Sequence, residues 1–261
     1  MKLYTSSKYL HKNVLISFLL TLSVPASAKI TSMSDAVNTA GKQRMITQRL
    51  LKDYTLIGMN NTYGNPKEDL QKMVALFDNS LNELTSYVKD AESRSSLKKV
   101  SALWKPTKKK LLATPTKKQA IVLEKELESL LHATDESTQL ITKASHSKGA
   151  EIVNISGRQR MLSQRMASLY MLKVWEINDA DTDKKLTQAM SEYETAQKKL
   201  LQTQLNTPET EKLLKDAAKA YRFFQVMGKS NSRKFVPSLI NRSANNILKA
   251  MHQATVLYAT K

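Results

Sequence analysis

Two stretches of this chain are variants of one string: Asn38-Thr39-Ala40-Gly41-Lys42-Gln43-Arg44-Met45-Ile46-Thr47-Gln48-Arg49 and Asn154-Ile155-Ser156-Gly157-Arg158-Gln159-Arg160-Met161-Leu162-Ser163-Gln164-Arg165. With a shift of 116, the windows Val37–Tyr54 and Val153–Tyr170 agree at nine of eighteen positions, Gly41/Gly157, Arg44/Arg160 and Tyr54/Tyr170 among them. Lys42/Arg158, Ile46/Leu162 and Thr47/Ser163 are conservative pairs, and the same shift aligns Leu70/Leu186, Phe77/Tyr193 and Leu84/Leu200. Beyond that the register blurs, with Trp104 near Tyr221. Such density of matches marks a duplication, two halves of roughly 115 residues.

Each half reads as about four helices. In the first, a helix starts near Ser32, with Asp35 as its capping partner, and ends around Asn60-Asn61. A second opens at Asn65-Pro66 with Glu68-Asp69 in its first turn, and Leu70, Met73, Val74, Phe77, Leu81, Leu84 and Val88 follow the 3–4 spacing of a buried stripe. A third, over Ser95–Leu112, is expected to kink or break at Pro106, and a fourth covers Lys117–Ser145. The second half repeats the plan over Ala150–Asn178, Thr182–Gln204, a helix opened by Thr207-Pro208-Glu209, and Ser238–Ala259. Long amphipathic helices with short connections predict an all-α protein, two tandem repeats in antiparallel bundles over 29–146 and 147–261. Composition agrees. Six Gly and six Pro in 261 residues are under half the usual share of about 12%, too few turn residues for a sandwich or barrel.

Met1–Ala28 carries Lys2, Lys8 and Lys12, no acid, the apolar run Val14–Leu22, and Ala26-Ser27-Ala28. That is the pattern of a signal peptide, with cleavage expected after Ala28 and a soluble, exported, periplasmic product. The apolar run falls well short of the roughly 20 residues of a membrane span. The chain holds 41 Lys+Arg against 23 Asp+Glu, a formal +18, and a surplus of that size favours anionic partners. Export argues against nucleic acid. With no Cys, the fold relies on its core, and thiol chemistry is excluded. Lys98-Lys99, Lys105, Lys108-Lys109-Lys110 and Lys117-Lys118 crowd together in the first half only, either as a solvated face or as a docking patch for an anionic envelope surface.

The motif is an unusual stripe for a bundle helix. At 3.6 residues per turn, 38, 41, 45, 48 and 49 share one side and 44 lies beside 41 and 48. The stripe mixes Asn, Gln and Arg with Met around a mid-helix Gly, which costs about 1 kcal/mol relative to Ala and is tolerated for close approach. Helices meeting at Gly41 and Gly157 would bring Arg44 and Arg160 to a shared pocket, with Asn38, Asn154, Gln48 and Gln164 as neutral donors. The planar donor fork of Arg suits an oxyanion. The alternative is that each Arg pairs with a carboxylate on a neighbouring helix.

The string Asn-x-[Ala/Ser]-Gly-x-Gln-Arg-Met-x-x-Gln-Arg, present at Asn38–Arg49 and Asn154–Arg165, resembles the signature of the PilJ/NarX-type sensor domain. That is the N-terminal module of type IV pili methyl-accepting chemotaxis transducers and of nitrate/nitrite sensor kinases, and the resemblance covers both halves. It implies a helical bundle without catalytic function. It also implies that Arg44 and Arg160 grip a small anion such as nitrate or nitrite, as an Arg from each of two subunits does in the nitrate sensors. The version with Gln43 and Gln48-Arg49 is closer to the pilus transducers. The chain has no kinase or methyl-accepting region, so the implied partner is a separate membrane receptor or sensor kinase. The competing expectation is a ligand-free helical interaction protein docking on an envelope or type IV pilus component.

His132, His146 and His252 are scattered, with no His-x-x-x-His or Glu-x-x-His pair, so no metal site is expected. Without a phosphate loop, nucleophile elbow or Ser/His/Asp arrangement, neither enzymatic activity nor a cofactor is expected.

Overall fold

The computed structural model describes residues 30–146, 148–177, 181–228 and 236–260. These form eight helices and no strand: α1 Met33–Gly58, α2 Pro66–Tyr87, α3 Ala91–Leu111, α4 Lys117–Ala144, α5 Lys148–Val174, α6 Thr182–Gln202, α7 Pro208–Gly228 and α8 Pro237–Ala259. The fold is the all-α one that the periodicity predicts. The signal peptide expected over 1–28 lies outside the described residues. No helix among those described is long and apolar enough to cross a membrane.

The helix starts have local causes. Ser32 Oγ accepts from the Asp35 amide at 3.0 Å and Thr116 Oγ1 from the Gln119 amide at 3.1 Å, each satisfying a donor that the first turn leaves free. Asp90 does the same for Ser93 at 2.8 Å, which is why α3 begins earlier than the expected Ser95. Of the kink or break expected at Pro106, the break does not occur, for α3 runs through it. Proline removes the donor to the carbonyl four residues back. Here Ala102 and Pro106 are both exposed, so the missing donor falls on the solvent side of the helix, where it costs least.

Within the first half, α1 packs on α2 and α4, and α3 on α4; within the second, α5 packs on α6 and α8, and α7 on α8. The most extensive contact of all joins α1 to α5, and the apolar residues of both halves form one continuous core. The two central helices run in the same direction: Gly41 faces Gly157, and further along Gln48 meets Ser168 and Lys52 meets Gln164. Equivalent positions therefore oppose each other about a pseudo-two-fold axis between α1 and α5.

Other equivalences survive far from the motif. Phe77 lies on Trp104 with centroids 4.2 Å apart, and Tyr193 on Tyr221 at 4.4 Å. Trp104 Nε1 donates to Asp78 Oδ1 at 2.7 Å, as Tyr221 Oη donates to Glu194 Oε1 at 2.9 Å. The hydroxyls of Tyr54 and Tyr170 accept the amides of Thr116 and Val236, tying the C-terminal end of each central helix to the residue before the last helix of its half.

Candidate functional site

Because α1 and α5 have neighbours on most sides, most of their polar motif residues are buried, and Lys42, Arg49, Asn154, Arg158 and Arg165 are half-buried. Arg44 and Arg160 are each only 1% exposed. Both guanidinium groups lie over the glycine crossing, since a Cβ on Gly41 would stand 3.3 Å from Nη2 of each. On Gly157 it would stand 3.1 Å from Nη2 of Arg160 and 3.6 Å from that of Arg44. The glycines give the guanidinium groups the room that a methyl would fill. Arg44 and Arg160 thus share one location, as expected from the repeat.

Their partners are unequal. Arg44 Nη1 donates to Asp135 Oδ1 at 2.6 Å, and its Nη2 to the side-chain and backbone oxygens of Asn154 at 2.8 and 3.2 Å. Burial alone would raise the Asp135 carboxyl, but Arg44, then Arg158 and the Gln139 amide, outweigh it and hold the group below its ordinary range. Arg160 has no carboxylate in contact among the described residues. Its Nη2 donates to the Asn38 carbonyl at 3.3 Å, and its Nη1 lies 3.4 Å from His252 Nδ1. A guanidinium cannot accept, so the imidazole must, and it must be neutral to do so. Burial and then the charge of Arg44 lower Arg160 to about 9, which leaves it charged at neutral pH. Burial, then Arg160 and Lys42, hold His252 down to about 4.

Of the two alternatives for the arginines, carboxylate pairing describes Arg44 and not Arg160. Asn38 and Asn154 sit at the site: Asn154 presents its side-chain and backbone oxygens to Arg44, while Asn38 presents its backbone carbonyl to Arg160 and keeps its side-chain oxygen buried without a hydrogen-bond partner. Gln48 and Gln164 lie further along the α1–α5 seam. Gln48 Oε1 accepts from Ser168 at 3.3 Å, while Gln164 Oε1 accepts from the buried Lys52 at 3.0 Å and its Nε2 donates to the Ala244 carbonyl. They hold the helices together and are not joined to the guanidinium pair.

Arg160 opens onto a cleft of about 480 Å³ between α1, α2, α5 and α8. Lys42, Arg49, Lys249 and His252 line it with Arg160, and Met45, Met73, Leu76 and Leu248 form its apolar wall, with Asn245 completing the lining. No acid lines it. Arg49 is already satisfied, with Nε and Nη2 both at 2.6 Å from the Asp69 carboxylate. Lys42 has no ion-pair partner among the described residues; burial, then Arg160, lower its ammonium, opposed by Glu83 and Asp35 from beyond contact distance. The motif pointed to Arg160 and Gly157. It held no signal for Lys42 as a site residue, nor for Lys249 or His252 on α8.

The lysine cluster is half neutralised: Lys99 pairs with Glu136, Lys108 with Asp78, Lys110 with Glu126 and Lys117 with Glu176. That favours a solvated face over a docking patch. Among the described residues, no three His, Asp or Glu side chains gather as a metal site would require.

The family model of the type IV pili methyl-accepting chemotaxis transducer N-terminal domain, PilJ, matches residues 26–131 and 141–222. The chain belongs to the PilJ family. Its two matched segments fall on the two halves, so the duplication is one of PilJ units, and PilJ is a sensory, non-catalytic family. Comparison with curated proteins and with solved structures returns no match.

Proposed function

We propose that this PilJ protein is an exported, periplasmic sensory module that holds a small oxyanion, nitrate or nitrite in the first instance, at the Arg44–Arg160 pair, and reports its presence to a separate membrane receptor or kinase. One observation carries the reading: Arg160 is a buried cation without a carboxylate, set beside a second buried cation. Leaving a buried charge uncompensated costs several kcal/mol, and an anion reaching Arg160 through the cleft relieves that cost. Gly41 and Gly157 put the site on the seam between the two halves. Occupancy therefore bears on how α1 and α5 sit against each other, and packed helices shift in small discrete steps.

The test is thermal unfolding of the purified protein in nitrate, nitrite and chloride at matched ionic strength. A ligand at 100 times its Kd adds about 2.7 kcal/mol. The expected result is a rise in Tm with nitrate or nitrite that disappears in Arg160→Gln, whose fold is checked by circular dichroism. An equal rise in wild type and Arg160→Gln, or none in either, refutes the proposal.

A further inference from the structure

The two sides of the α1–α5 axis are copies of each other and differ in charge. On one side Asp135 bridges Arg44 at 2.6 Å and Arg158 at 3.4 Å, Arg158 also holds Glu192 at 2.8 Å, and Arg165 holds Glu128 through bonds of 2.6 and 2.9 Å. On the other side the shift of 116 places Lys42 at the position of Arg158 and Leu76 at that of Glu192. From α3 onward the shift is 117, as Trp104 and Tyr221 show, and it places His252 at the position of Asp135 and Asn245 at that of Glu128. The side chains keep this register, for Arg160 reaches His252 as Arg44 reaches Asp135.

The cations have thus been kept and three acids replaced. Arg49, the counterpart of Arg165, has found Asp69 on α2. Arg160 and Lys42 have no such substitute, and the space beside them is the 480 Å³ cleft. One side of the axis is a closed network of ion pairs. The other is the same network with its negative members removed and a cavity in their place.

We propose that this cleft binds an organic dianion, a dicarboxylate with a short hydrocarbon spacer. Its carboxylates take up the roles that Asp135 and Glu192 play on the opposite side, against Arg160 and Lys42, and its spacer lies along Met45, Met73, Leu76 and Leu248. Two buried or half-buried cations without acids in contact call for two negative charges, and nitrate brings one. An inorganic oxyanion also leaves the apolar wall wet, whereas pockets of this size ordinarily enclose most of a molecule of many atoms. Lys249, exposed at the rim, adds attraction for an approaching dianion. The inference rests on the proposed role of Arg160 in anion binding and names the class of molecule that this site prefers.

Isothermal titration of the purified protein with glutarate and adipate, against butyrate, sulfate and nitrate, tests it. The dicarboxylates are expected to bind at least tenfold more tightly than any of the other three. Leu76→Glu restores the acid found on the opposite side, so it is expected to weaken dicarboxylate binding at least tenfold while raising Tm; loss of binding with a gain in stability excludes misfolding as the cause. Lys125→Ala, exposed on α4, a helix that lines no part of the cleft, serves as the control that binds as wild type. Sulfate binding as tightly as glutarate overturns the hydrocarbon part and with it the inference, as does unchanged dicarboxylate binding in Leu76→Glu. Nitrate bound through Arg160 with dicarboxylates no tighter overturns the inference and leaves the oxyanion proposal standing. Absence of binding by every anion overturns both.

Discussion

His252→Asp writes into the second half the carboxylate that the first half already has. Asp135 stands 2.6 Å from a guanidinium that is 1% exposed, and is itself only 22% exposed. An aspartate at 252 would face Arg160 in the same way, with Lys42 nearby. The quantity at stake follows from Arg160, whose guanidinium burial and the charge of Arg44 lower to about 9; a buried charge left without its partner costs about 3–5 kcal/mol. The new carboxylate is desolvated in turn, so only part returns. Hydrogen bonds to charged groups contribute about 1.5–3 kcal/mol net, and about 2 kcal/mol is the expected gain. For a chain of this size that raises Tm by about 4–8 °C, measured by differential scanning calorimetry in chloride at low ionic strength. The same variant should lose stabilisation by added anions, because the position they would occupy is taken. A variant that keeps its helical signal and melts at or below wild type would refute the reasoning, as would one that still gains Tm with nitrate or glutarate.

On the opposite side, Asp135→Ala leaves Arg44 and Arg158 without their shared acid. Breaking a buried pair costs about 3–5 kcal/mol, visible as a fall in the urea midpoint. Gly58→Ala places a Cβ 2.1 Å from the Trp175 ring and should destabilise by about 1–3 kcal/mol despite better helix propensity. In Gly157→Ala, by contrast, the Cβ meets only the ends of flexible side chains, Arg160 at 3.1 Å and Arg44 at 3.6 Å; stability should change little, and anion-induced stabilisation should fall. The pH dependence has a definite sign. The unfolded chain protonates His252 near its ordinary 6.5 and the folded chain only near 4, so the unfolded state binds the extra proton between these values and stability falls as pH drops from 6.5 to 4. His252→Asn should flatten Tm against pH in that window. Asp53, which burial raises well above its ordinary value, titrates in both proteins and cancels from the comparison.

The helices were legible because their determinants are local: caps such as Ser32, stripes such as Leu70 to Leu84, and the shortage of Gly and Pro. The duplication was legible too, and with it the meeting of Arg44 and Arg160. Pro106 does not end α3 because the cost of its missing donor depends on which side of the helix faces solvent, which is a tertiary fact. Gln48 and Gln164 share the stripe with the arginines in sequence, but α1 and α5 have neighbours on most sides, and positions further along the seam meet partners of their own. The unequal charge was hidden by a single added residue. The register passes from 116 to 117 before Trp104, so Asp135 falls opposite Met251 in the first alignment and its true counterpart, His252, is missed. The ring pairs Phe77–Trp104 and Tyr193–Tyr221 restore the count.

The pseudo-two-fold axis between α1 and α5 carries a last consequence. When identical subunits associate about a true dyad, each mutation arrives twice, and neither flank of the interface can change without the other. Fusing the partners into one polypeptide lifts that constraint. Asp135 can remain an anchor while residue 252 becomes histidine, and the anchored flank supplies rigidity to a flank that has given its own up. Tandem genes of this kind can therefore divide labour inside a single molecule, one copy kept for architecture and its twin released for chemistry.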